Sequence, residues 1–259
     1  MHPYVYLFDR AIPTYGLCIT TGVLLSNLIA FFFTKRKSLD WNDFIILECY
    51  CMLGAFLGAK LLFLLVSFKY IDWKRIFELS YFNSLMQSGF VFYGGLIGGL
   101  PATIIAAKVQ KIDAGVYIRS LIFLVPLIHS FGRVGCFLAG CCYGIPYSGP
   151  GCVVFPYESF AISGVHLFPI QIVEAICLLL ISGIVFISMQ HFRNYYTVEL
   201  YFVLYGTARF FLEYFRYDLI RGKIGGLYTS QWISVLLIIT AIVSVVIHKE
   251  QLKHPNKVI

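Results

Sequence analysis

The chain has 259 residues, of which 59% are hydrophobic and 13% charged, where a water-soluble domain carries roughly 25% charged residues. With a mean hydropathy of +0.80, a water-soluble globule is excluded, and the length accommodates roughly six to eight helical crossings of a hydrocarbon core with short loops between them. The net charge of +7 comes without a polar face that could form a phosphate-reading groove, so nucleic acid is excluded as a partner and the charge is read as a topology signal.

In chain order, seven runs of about 18 or more mostly apolar residues predict helices near 15–34, 44–67, 89–107, 115–135, 170–189, 199–215 and 230–248. The first is not a cleavable leader, because Lys35, Arg36 and Lys37 follow its apolar run instead of preceding it. Runs three, four and six are less purely apolar. They hold Gly94, Gly95, Gly98, Gly99, Pro101, Pro126, Arg119, Arg133, Arg209 and Glu213. Irregular or charged backbone at membrane depth survives only against protein or a water-filled cavity, so function is expected there.

Lys35, Arg36, Lys37, Lys108, Lys111, Arg193, Lys249, Lys253 and Lys257 would form one side of the membrane, nine basic residues against seven on the other (Arg10, Lys69, Lys74, Arg75, Arg216, Arg221 and Lys223). The longest loop, 141–169, falls on the second side and has no Lys or Arg. Basic loops stay cytoplasmic, so the expectation is an all-α integral membrane protein of seven transmembrane helices, with its N terminus outside and its C terminus in the cytoplasm. No repeat, low-complexity tract or linker interrupts residues 1–259, which are read as a single polytopic domain.

Four basic residues fall within the runs: Lys60, Arg119, Arg133 and Arg209. Lys60 and Arg119 are near enough to helix ends to snorkel. Arg209 lies in YGTARFFLEYFR, where Tyr205, Arg209, Glu213 and Arg216 recur at spacings of four, four and three and share a helix face. An internal ion pair between Arg209 and Glu213 is one reading. The other is an anion site, because two arginines beside one carboxylate leave surplus positive charge that a lipid phosphate would neutralise. In LIHSFGRVGCFLAGCCYG, His129, Arg133 and Cys136 lie at i, i+4 and i+7 along a second polar stripe. His129 is either a hydrogen-bonded core residue or a base facing a cavity. The run FYGGLIGG (92–99) holds Gly95 and Gly99 as a GxxxG pair suited to helix packing, or else makes a wall thin enough for a headgroup to approach backbone.

Of eight cysteines, Cys18, Cys49, Cys51 and Cys177 fall in the runs as small apolar fillers. Cys136, Cys141, Cys142 and Cys152 cluster at or beyond the end of the fourth run, as packing thiols or a loop-stapling disulfide in an oxidising compartment. No paired CxxC spacing is present, and no metal is expected.

FYGGLIGG, FGRVGCFLAGCCYG, FPIQIVEA and LYGTARFFLEYFRYD, in that order and followed by SQWIS, resemble the prolipoprotein diacylglyceryl transferase family over residues 13–248 or so. The ordered combination is specific where each motif alone is weak. The resemblance implies an enzyme of the bacterial cytoplasmic membrane that moves the diacylglyceryl group of phosphatidylglycerol onto the lipobox cysteine of a preprolipoprotein. A thioether forms, glycerol phosphate is released, and no cofactor is needed. It further implies that Arg133, flanked by Gly132 and Gly135, and Arg209 grip the phosphodiester. Tyr205, Glu213 and Arg216 share the second arginine motif, Gly94, Gly95 and Gly98 match a glycine motif, Tyr15 a first-helix Tyr-Gly, and Gln171 and Glu174 a segment after Pro169. Membrane lipids and the signal peptide are the implied partners.

The chain also departs from that pattern. The histidine that opens the glycine motif is Tyr93, the Asn, Asn and acidic positions of the first arginine motif are Cys136, Ala139 and Cys141, a preceding Asp is Arg119, and the His before Pro169 is Phe168. Among catalytic residues, the set Arg133, Arg209, Glu213 and Tyr93 is therefore joined by His129, one turn from Arg133, as a replacement base. Two other readings stay open: a family member acting on another acceptor, and a phospholipid-binding or transport protein without chemistry. An inverted-repeat transporter would show two matching halves, and none is visible.

Overall fold

A computed structural model describes residues 2–7, 10–87, 89, 91–191, 196–217 and 223–253. Arg193, Arg221 and Lys257 of the charge count lie outside them, as do the side chains of Tyr93, Lys223 and Lys253. The chain opens with an antiparallel hairpin, β1 (Tyr4–Leu7) and β2 (Arg10–Pro13), and runs into α1 (Thr14–Arg36) and α2 (Trp41–Val66). Two 3-10 turns (Phe68–Tyr70 and Trp73–Arg75) and α3 (Leu79–Gln87) lead to α4 (Phe92–Gln110). Then follow α5 (Ala114–Leu121), α6 (Leu124–Ala139), a short ladder of β3 (Val153–Val154) with β4 (His166–Leu167), α7 (Ile170–His191) and α8 (Thr197–Leu212). A 3-10 turn (Glu213–Phe215), the hairpin of β5 (Lys223–Ile224) with β6 (Leu227–Tyr228), and α9 (Thr229–Lys253) complete it.

All seven expected runs are helical, with two corrections to their form. The fourth is two helices, α5 and α6, bent by 55° across a short break. The sixth ends its α-helix at Leu212 and tightens into 3-10 geometry, so Arg216 sits in extended backbone beyond the helix. By length and composition, α1, α2, α7 and α9 could cross a membrane, and the bent pair would make five. The protein is thus mostly helical with four to five candidate spans.

The apolar surface is arranged for a nonaqueous solvent. Along α7, Gln171, Glu174 and Ser182 are buried while Ile176, Leu179, Leu180, Ile184 and Ile187 are exposed. In water this arrangement would strand large apolar side chains; in lipid it keeps the polar groups against protein.

The chain forms two compact units, 33–117 and the remainder, 1–32 with 118–259. In the first, Asp40 caps α2 by accepting the Asn42 N–H at 2.8 Å. The packing of α2 on α4 is set by glycine. A Cβ on Gly94 would press into the Gly58 carbonyl oxygen, and one on Gly98 into that of Gly54, with Gly54 and Gly58 reciprocally tight. Two GxxxG faces therefore meet backbone to backbone. The closest pair is Gly94 and Gly98, where the sequence pointed to Gly95 and Gly99. Lys60 does not snorkel: it is buried, and its ammonium donates to the carbonyls of Leu85 (2.6 Å), Met86 (3.1 Å) and Gly89 (3.5 Å).

In the second unit, α7 lies between α6 and α8, and α9 packs on α8. Three polar contacts tie elements where apolar burial in lipid supplies little drive. Ser182 Oγ donates to the Phe123 carbonyl (2.8 Å), Thr197 Oγ1 to that of Arg119 (2.9 Å), and Ser244 Oγ to Glu199 (2.6 Å). The 140–169 loop has its own core of Phe155, Ala161 and Leu167, against which Phe137, Tyr143, Val153 and Val165 pack.

Candidate functional site

Polar side chains from three helices and one following segment meet in the second unit. Helix α6 brings His129, Arg133 and Cys136, α7 brings Gln171 and Glu174, α8 brings Tyr205 and Arg209, and the segment after it brings Glu213 and Arg216. Glu174 is the hub. Arg133 approaches its Oε2 through Nε at 3.0 Å, Arg209 donates to Oε1 through Nη1 at 2.7 Å, and Arg216 reaches Oε1 through Nη1 at 3.3 Å. Arg209 also meets Glu213 Oε2 at 2.6 Å, with Arg216 Nε 4.0 Å from the same oxygen. Three guanidiniums thus share two carboxylates, which leaves one surplus positive charge. Arg216, Glu174 and Glu213 are almost completely buried, while Arg133 keeps 13% and Arg209 10% of its side chain accessible.

Local backbone explains how Arg216 reaches Glu174. Gly144 pairs with Arg216 in an isolated antiparallel bridge; the Ile145 N–H donates to the Phe215 carbonyl at 3.0 Å and the Tyr217 N–H to that of Tyr143 at 3.1 Å. The Phe168 N–H donates in turn to the Ile145 carbonyl at 2.9 Å. Gly144 lies between these segments: a Cβ there would press into the Phe168 carbonyl oxygen and come within 2.9 Å of that of Phe215. Gln171, fully buried, donates to the Cys141 carbonyl at 2.9 Å and fastens the same loop to α7.

A cavity of about 20 Å³ opens beside this cluster, lined by His129, Arg133, Glu174, Tyr205 and Arg209 among polar groups and by Cys177, Leu178, Ile181, Ala208 and Leu212. That volume holds about one water. Any larger ligand enters only as these side chains part. His129 faces the cavity with its ring 5.8 Å from that of Tyr205, which stacks on Tyr201.

Beyond Arg133, α6 ends in sulfur. The Sγ atoms of Cys136, Cys141 and Cys142 lie within 4.8 Å of one another, and Tyr15 on α1 interacts electrostatically with them and with Arg133. Hydrogen bonds from Cys136 and Cys141, with the positive charges of Arg216 and Arg133, hold the Cys142 thiol below its ordinary value against the opposing effect of burial. Cys152 is elsewhere, 3.3 Å from His166 Nδ1. All eight cysteines are free thiols.

Of the residues singled out from sequence, the structure therefore brings Arg133, Arg209, Arg216, Glu174, Glu213, His129 and Tyr205 together, with Gln171 and Tyr15 adjoining. Gly94, Gly95 and Gly98 belong to the other unit, where their contacts are those of α4 with α2, and the Tyr93 side chain lies outside the described residues. Residue patterns alone missed Glu174 as the hub and Gly144 as the bridge partner of Arg216. A signal existed for the first: Glu174 is the sole Asp, Glu, Lys or Arg in the 22 residues of α7, and a lone intramembrane carboxylate implies a cationic partner.

A family model described as "Prolipoprotein diacylglyceryl transferase" matches residues 4–247. A relative from Clostridium tetani, named phosphatidylglycerol-prolipoprotein diacylglyceryl transferase, is 33% identical over 244 residues, covering 93% of this chain and 96% of its own. One from Clostridium perfringens, carrying that name with the number 2, is 28% identical over 94% of this chain and 93% of its own. A third of the same name, from Campylobacter jejuni, is 30% identical over 91% of this chain and 89% of its own.

Proposed function

The chain belongs to the prolipoprotein diacylglyceryl transferase family, and from that premise we propose that it transfers the diacylglyceryl group of phosphatidylglycerol to the lipobox cysteine thiol of preprolipoproteins. The thiol sulfur bonds to the glyceryl carbon, the bond from that carbon to the phosphate oxygen breaks, and glycerol phosphate leaves with the electron pair. The observation that carries the reading is the buried cluster of three arginines on two carboxylates. Its surplus of one positive charge matches the single negative charge of a phosphodiester.

The same cluster suits the transition state better than the ground state. As the leaving phosphate gains a second charge, guanidiniums already fixed by Glu174 and Glu213 stabilise it with little reorganisation, in a largely buried site. Arg133 and Arg209 grip the phosphate. Both retain accessible surface, and the closest contact of Arg133 with Glu174 uses Nε, which leaves its forked end to engage a ligand. Arg216 and Glu213, almost without exposure, position Arg209 and Glu174. His129, in the cavity wall with Arg133 and Arg209, takes the proton of the incoming thiol, which reacts as thiolate. Gln171 and Tyr15 hold the loop side of the site. Gly94 and Gly98 serve the packing of α4 on α2.

The protein acts as one seven-helix unit in the bacterial cytoplasmic membrane, with its N terminus outside. The loop 141–169 then faces the compartment where exported lipoprotein precursors present their lipobox. Purified protein in detergent, given headgroup-labelled phosphatidylglycerol and a lipobox peptide, is expected to release labelled glycerol phosphate and add the diacylglyceryl mass to the peptide. Both should be lost in Arg133→Ala. Lipid binding without release, in protein that remains folded, would sink the transferase reading in favour of another acceptor or a non-catalytic lipid-binding role.

A further inference from the structure

The transferase reading makes no use of the three sulfurs at the end of α6. Cys136 stands in the last turn of the helix, and the chain then reverses on two residues in the left-handed region, Gly140 (φ 77°) and Cys142 (φ 55°). The Cys141 N–H donates to the Cys136 carbonyl at 3.0 Å within this turn. Glycine takes such a conformation freely, but a cysteine takes it uncommonly. The consequence is that side chains five and six positions after Cys136 return to it, with all three Sγ atoms within 4.8 Å of one another.

We propose that Cys136, Cys141 and Cys142 form a three-thiolate site for a thiophilic d10 metal ion. A metal–sulfur bond of about 2.3 Å places the sulfurs of a trigonal or tetrahedral site about 4 Å apart, so the three need to close by less than an ångström. Joining any two as a disulfide requires about 2 Å between sulfurs, a larger collapse. The donor set is sulfur alone among the described residues, with no carboxylate or imidazole in the group, and such a set selects soft ions over calcium or magnesium.

Charge supports the assignment. Three thiolates around a divalent ion carry a net charge of minus one, and the adjoining arginine cluster carries a surplus of plus one. Arg133 and Arg216 both act electrostatically on Cys142. Loading releases the three thiol protons to water as the metal–sulfur bonds form. Because Gln171 donates to the Cys141 carbonyl, a bound ion would fix the turn that joins the loop to α7. The proposal rests on the sulfur geometry and the adjoining arginines, not on the transferase reading, and survives if that reading fails.

The test uses the full chain, purified in detergent under reductant and stripped with a chelator. Cadmium added alone is expected to give a thiolate-to-metal charge-transfer absorption that saturates at one ion per chain. Cys136→Ser, Cys141→Ser and Cys142→Ser should each weaken binding at least tenfold, while Cys152→Ser leaves it unchanged. A second measurement needs no variant. One equivalent of zinc should slow alkylation of Cys136, Cys141 and Cys142 together, read site by site by mass spectrometry, without protecting the exposed Cys49. Absence of the absorption at one equivalent, unchanged alkylation of the three thiols, or isolation with two of them joined and no metal binding after reduction would each overturn it.

Discussion

Glu174 decides the electrostatics of the site, because each of the three arginines reaches it. Removing its carboxylate would leave Glu213 alone against three guanidiniums and raise the buried surplus from one charge to two. Breaking a buried pair in this way costs about 3–5 kcal/mol. Glu174→Ala is therefore expected to lose thermal stability in detergent together with activity, and wild-type melting with intact activity would show that the arginines are neutralised some other way. Arg133 presents the opposite case. It sits at the rim of the cluster with 13% of its side chain accessible, and lysine there keeps the charge while losing the planar fork. Arg133→Lys should fold normally and lower kcat by about 10²-fold or more, the scale of a lost transition-state donor. His129→Ala separates a base from a packing residue: its activity should fall most at low pH, where less of the acceptor thiol ionises unaided, and full activity at all pH values would remove His129 from the mechanism.

At the scale of elements, α4 distinguishes two uses of glycine. A Cβ at Gly98 would run into the Gly54 carbonyl, whereas one at Gly95 would meet the Ala55 carbonyl at 3.5 Å, an ordinary contact. Overpacking costs typically about 1–3 kcal/mol, so Gly98→Ala should lower the melting temperature and Gly95→Ala should not. If these glycines served only to admit a headgroup, both variants would melt like the parent and differ in activity alone. The helices themselves were legible because membrane spans are written as long apolar runs. What was not legible lay below that resolution. Helix α3 is a nine-residue segment too short to register as a span, and the break between α5 and α6 interrupts a run whose apolar character continues across it. The polar stripes on α6 and α8 were readable from spacing, but the convergence of three arginines on Glu174 depends on how α6, α7 and α8 meet. Arg216 was assigned to the right cluster for an incomplete reason. It leaves the helix and returns through the extended pairing with Gly144, which helical periodicity does not describe. The sulfur cluster likewise depends on two left-handed residues that place i+5 and i+6 beside i.

For the molecule as a whole, orientation is the property on which the proposed chemistry depends. Four helices, or five with the bent pair, are long and apolar enough to cross, and α4 and α8 complete the seven expected runs. Nine basic residues against seven, with none in the 141–169 loop, favour an outside N terminus. In the orientation proposed here, the end of α6 that carries Arg133, Cys136 and the Gly144 loop would face outward, toward the thiols of exported precursors, and the clusters at 35–37 and 108–111 would meet the anionic cytoplasmic leaflet. The opposite orientation would turn the same cluster toward the cytoplasm and place basic clusters where no such attraction holds them. An epitope tag fused before Met1 should accordingly be cut by protease added to intact spheroplasts, and a tag after Ile259 only once the membrane is opened. The reverse pattern in an active protein would require that the lipobox reach the arginines from the cytoplasmic side, and the direction of substrate entry proposed here would have to be abandoned.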